Sequence, residues 1–129
     1  MISIKYKVKT INCGVLVKRE KSKRFAVRIV KCCRFLQGER QEYVLSKQLM
    51  RSGTSIGANI AESVHAQSRR DFVSKINIAL KEAGETRYWL EIVYESELIP
   101  KEMFDSLSAD CDELARILAS TVRTIRQNA

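Results

Sequence analysis

No stretch of this sequence is apolar enough to cross a bilayer. Its longest run without a charged residue, residues 52–61, includes Ser, Thr, Gly and Asn, whereas a span needs about 20 apolar residues. No charged-then-apolar leader opens the chain, so the expectation is a soluble protein in the cytoplasm, where thiols stay reduced. Histidine occurs once, as His65. It has no serine or cysteine motif beside it, and the G-x-S-x-G elbow, the P-loop and the dinucleotide fingerprint are all missing. One half of a di-iron pattern is present in Glu62-Ser63-Val64-His65, but the second Glu-x-x-His it requires cannot be made. The four cysteines, Cys13, Cys32, Cys33 and Cys111, contain no CxxC pair, and they read as small buried hydrophobes. No enzyme, cofactor or metal is expected from these residues.

Positive charge is plentiful and unevenly placed. The chain carries a net charge of +8 over 129 residues. Residues 1–70 are strongly basic, at +12, and residues 71–129 mildly acidic, at −4. Such asymmetry points to an anionic partner such as RNA or DNA, or to a solvated basic face that serves only solubility.

The hydrophobic pattern is helical over most of the length and predicts an all-α, up-down antiparallel four-helix bundle over residues 19–129. Residues 1–18 form an extension of a different kind. There Ile2, Ile4, Tyr6 and Val8 alternate with polar residues as in a strand, and Asn12-Cys13-Gly14 signals a turn. A lone hairpin is marginal in water, which leaves disorder, docking on the bundle and pairing with another chain all open. The first helix is expected over about residues 19–36, with Phe25, Ile29, Cys32, Cys33 and Leu36 on one face and Gln37-Gly38 ending it. The second, about residues 39–65, carries Leu45, Leu49, Ile56, Ile60 and Val64 together with Gly53 and Gly57, whose spacing predicts a tight helix crossing or a slight bend. Ser68 and Asp71 form a capping signature for a third helix ending near residue 97. Pro100 suits the first position of the fourth, in which Phe104, Leu107, Cys111, Leu114, Leu118, Thr121 and Ile125 make the most regular heptad in the chain.

Three groups of residues are candidates for function. On the first helix Lys21, Arg24, Arg28, Lys31 and Arg34 form a basic ridge suited to phosphates. On the second and third, Arg51, Ser55, Asn59 and Glu62, with Glu82 and Glu85, are expected to form a buried polar network bonded across helices. The third helix is apolar over more than one seam at Tyr88, Trp89 and Ile92, which fits either burial against another subunit or contact with two neighbouring helices.

Residues 43–62, YVLSKQLMRSGTSIGANIAE, and residues 71–90, DFVSKINIALKEAGETRYWL, resemble the bacterial four-helix-bundle family named for proteins encoded in intervening sequences of large-subunit ribosomal RNA genes. The resemblance covers about residues 20–126, and the signature residues of that family correspond here to Arg51, Ser55, Ile56, Asn59, Ile60 and Glu62. Many members carry proline where this chain has Gly57. The resemblance implies a homopentameric ring. It also relates the chain to the accessory variability determinant proteins, which serve reverse transcriptases of diversity-generating retroelements by binding nucleic acid. The expected function is accordingly a non-catalytic homo-oligomer that binds RNA or DNA through its basic surface as an accessory factor. The rival expectation is a protein-interaction scaffold, with a reverse transcriptase or another protein as partner, and a metal-dependent enzyme stands third.

Overall fold

A computed structural model describes the backbone of residues 2–128 and the side chains of residues 14–128. It contains four helices in series: α1 (Ile2–Glu39), α2 (Leu45–Ser63), α3 (Arg69–Glu95) and α4 (Lys101–Gln127). Each packs on the next, α1 on α2, α2 on α3 and α3 on α4, while α4 returns to α1 along a thinner seam. The result is the expected all-α four-helix bundle. Its core is one cluster in which Phe25, Ile29 and Leu36 of α1 meet Leu49, Ile56 and Ile60 of α2, Ile76, Leu90 and Val93 of α3, and Leu107, Leu114 and Leu118 of α4.

The N-terminal strand expectation is overturned. Residues 2–18 continue α1 without a break through the Asn12-Cys13-Gly14 turn signal, and Val15 is already part of the core. An alternating segment needs a sheet partner to form its ladder, and the described residues contain no strand. Extending an existing helix, by contrast, adds a hydrogen bond per residue with nucleation already accomplished. The Cys13 side chain lies outside the described residues.

The ends of the other elements also shift. Gln37-Gly38 lies inside the last turn of α1, which runs to Glu39. The second helix starts at Leu45 rather than near residue 39, because Glu42 sets its beginning: its carboxylate accepts hydrogen bonds from the backbone N–H of Val44, Leu45 and Ser46 at 3.2, 3.1 and 2.8 Å. Ser68 caps α3 as its spacing predicts, accepting from the N–H of Asp71 at 3.0 Å. Pro100 precedes α4 in extended conformation, and its carbonyl accepts from the N–H of Phe104.

The glycines of α2 mark a tight crossing, as their spacing predicts. A Cβ on Gly53 would stand 2.8 Å from Cγ2 of the fully buried Ile29, and one on Gly57 would stand 3.2 Å from Oγ of Ser22. Close backbone approach at these two points joins α1 to α2 and positions the outer face of α1. Among the described cysteines, Cys32, Cys33 and Cys111 are buried and free. Burial pushes their thiols up to about 11, 12 and 12 respectively, so the reactive thiolate is scarce near neutrality.

Candidate nucleic-acid interface

The outer face of α1 is basic because its core-facing stripe uses only one side of the helix. Arg19, Lys23, Arg24, Lys31 and Arg34 are all exposed. At about 100° per residue they fall within a sector of roughly 140°. Among the described residues no carboxylate lies at ion-pair distance from any of them. Glu20 is the one acid in that sector, Leu16 and Val27 add exposed apolar surface to it, and exposed Val17 borders it.

The expected five-residue ridge divides in two. Arg24, Lys31 and Arg34 belong to the open face. Lys21 and Arg28 turn toward α4, where Lys21 Nζ lies 2.5 Å from Oε1 of Glu113 and Arg28 pairs with Asp110 and donates to Oγ of Ser106 at 2.6 Å. The Lys21 ammonium holds the Glu113 carboxyl below the usual carboxylate range. Pairs this exposed stabilise little, but they occupy two of the cations, leaving less charge for an incoming phosphate. The sequence pattern could not separate the two groups, since the partners lie on α4. In compensation it passed over Arg19 and Lys23, which the structure places on the open face.

Residues 16–120 match the model of the 23S rRNA-intervening sequence protein family. The chain belongs to that family. Its fold is similar to the crystal structure of a protein with unknown function from the S23 ribosomal protein family of Bacteroides thetaiotaomicron VPI-5482. The TM-score is 0.83 at 51% sequence identity, with 85% of this chain and 98% of that chain covered. No curated protein matches the sequence.

In this family member the cross-helix bonding expected of the α2 polar residues is found at Arg51, which reaches Glu82 and Glu85, but it lies at the surface and does not include Ser55 or Asn59. Arg51 has a side chain 48% exposed and reaches α3, where it pairs with Glu85 and lies 3.3 Å from Oε2 of Glu82. Its hydrogen bond to Glu85 favours the charged forms of both groups, raising the guanidinium and, with the help of Trp89 Nε1 at 3.2 Å, lowering the carboxyl. Ser55 and Asn59 bond instead to their own helix, at the carbonyls of Arg51 (2.6 Å) and Ser55 (2.8 Å). Short polar side chains satisfy themselves this way when a carbonyl of the preceding turn is within reach; the buried Thr86 donates to the carbonyl of Glu82 four residues back and the buried Ser63 to that of Ile60 three residues back. Glu62 is exposed and lies 3.0 Å from Lys75 Nζ. Among the described residues, no group of three or more His, Cys, Asp or Glu could hold a metal ion.

The expected interface residues lie together on α3. Tyr88 is 55% exposed and meets Trp89 edge to face at 5.2 Å, while Trp89 and Ile92 are half-buried. Among the described residues no helix is long and apolar enough to cross a membrane.

Proposed function

We propose that this protein is a non-catalytic, homo-oligomeric bundle of the cytoplasm that binds RNA or DNA through phosphate contacts. The observation that carries the reading is the face of α1, where five exposed cations stand within one sector and none is held by a carboxylate of the described residues. Binding of a polyphosphate chain requires charge density on an accessible ridge rather than base-reading side chains. An oligomer built on Tyr88, Trp89 and Ile92 repeats that ridge in every subunit, and repetition multiplies weak contacts. The family description ties its members to an intervening sequence of 23S rRNA, which favours RNA as the first probe.

The test is fluorescence anisotropy with a generic RNA and a generic DNA duplex across about 50 to 200 mM salt. Five phosphate contacts predict a loss of affinity of about 10²–10³-fold over that range. Affinity that does not change with salt would contradict the proposal. A second reading, a scaffold for another protein such as a reverse transcriptase, draws on Tyr43 and Val44, which are 60% and 73% exposed at the α1–α2 connection. That reading predicts no nucleic-acid binding even at the lowest salt.

A further inference from the structure

Lys18 occupies a position where a lysine is out of place. It lies on the core-facing stripe of α1 that continues through Ser22, Phe25 and Ile29, and it is half-buried. Burial pulls its ammonium below the ordinary lysine range. A cation removed from water is costly unless an anion faces it. Among the described residues no carboxylate does so, and the sequence contains no Asp or Glu before Glu20.

Beside Lys18 is a cavity of about 560 Å³ between α1 and the C-terminal half of α4. Arg116 is its second cation, again without a carboxylate at ion-pair distance among the described residues. Ser120 and Thr124 offer hydroxyl groups, and Phe72, Ile117 and Ile125 form an apolar wall. The neighbouring cavity on the same seam, about 260 Å³, differs in chemistry, because its Lys21 and Arg28 are held by Glu113 and Asp110. The smaller has one unheld cation, Arg24, beside the carboxylates of Asp110 and Glu113, whereas the larger sets two unheld cations against an apolar wall with no carboxylate in its lining. Its volume falls within the range of about 300–1,000 Å³ typical of small-ligand sites.

We propose that this cavity takes one unpaired nucleotide of a nucleic-acid strand, with Lys18 and Arg116 holding its phosphate and the wall of Phe72, Ile117 and Ile125 receiving its base. The proposal rests on the nucleic-acid reading above and deepens it from a surface that meets phosphates to a site that selects single strands. Contact between a base and an aromatic or apolar wall tolerates any sequence, because every base has a flat face. A duplex cannot offer a base without unpairing it, so it meets only the outer ridge.

The experiment compares a short single-stranded RNA with the same sequence as a duplex, by anisotropy on the full chain. The wild type should favour the single strand by about tenfold, the effect of one stacked base. Two variants isolate the site: Lys18→Met with Arg116→Met removes its charge, and Ser120→Trp, at an exposed position of α4, fills its mouth with every charge retained. Each should bring single-strand affinity down to the duplex value, with helicity by circular dichroism unchanged. Adenosine monophosphate should displace the single-strand preference and inorganic phosphate should not. Equal displacement by phosphate alone would overturn the base-binding half of the proposal. If Ser120→Trp binds the single strand as the wild type does, while wild-type binding keeps its salt dependence, the cavity proposal fails and the α1 reading stands. Absence of any wild-type binding at about 50 mM salt overturns both.

Discussion

Gly53 and Gly84 make opposite demands on the same substitution. A methyl group at Gly53 meets Ile29 below any ordinary contact distance, with a second carbon of that side chain at 2.9 Å, whereas one at Gly84 meets nothing within 4 Å. Gly53→Ala should therefore lower stability by about 1–3 kcal/mol, the usual cost of overpacking, against a helix-propensity gain of about 1 kcal/mol. Gly84→Ala keeps that gain and should be stabilising. Chemical denaturation of the two variants checks the pair, and the opposite order would show that α1 and α2 do not cross where described. The Gly53 contact was legible in part, because small residues four apart in a helix with apolar neighbours suggest a tight crossing or a slight bend, and the structure shows the crossing. Lys18 was not. Its meaning depends on register, and with the first helix expected to start near residue 19 it had no register to be read in.

The start of α2 depends on Glu42, and so does part of the response to acid. Burial pushes the Glu42 carboxyl up, but the N–H groups of Ser46, Leu45 and Val44 pull it down further, and it ends below the usual carboxylate range. A group with a lower pKa folded than unfolded stabilises above its unfolded value, about 4.3 for Glu, and that stability is lost as pH falls through the folded value. Glu42→Gln should cost about 1 kcal/mol at neutral pH, as the loss of a cap does. The variant should also show a smaller fall in Tm between about pH 5 and pH 3 than the wild type. Identical acid profiles would refute the capping role. The sequence revealed the existence of α2, α3 and α4 through their 3.6-residue periods, and the Ser68 cap through its spacing to Asp71. It concealed the Glu42 cap, because no N-cap pattern places a carboxylate three residues ahead of the first helical position. It concealed the course of residues 2–18 as well, since alternation there imitates a strand, and the described residues contain no strand for it to pair with.

At the scale of the molecule, the proposed oligomer rests on the exposed Tyr88 packed on the half-buried Trp89 of α3. Light scattering at micromolar concentration should give an assembly near five times the chain mass of 14.8 kDa, and a monomer under those conditions would contradict the oligomer. The bundle itself was legible from four apolar stripes and short connections. Which cations are free was not, because charge neutralisation occurs between helices far apart in sequence, Lys21 with Glu113 and Arg28 with Asp110. That division gives the central claim its most direct test, anisotropy with a generic RNA on two charge variants of the folded protein. Changing the open cations, Arg24, Lys31 and Arg34, to Glu should weaken binding by at least about tenfold and flatten its salt dependence. Changing the held pair by Lys21→Gln and Arg28→Gln should leave both nearly as they are. Equal binding by the wild type and the Arg24, Lys31 and Arg34 variant would contradict the account.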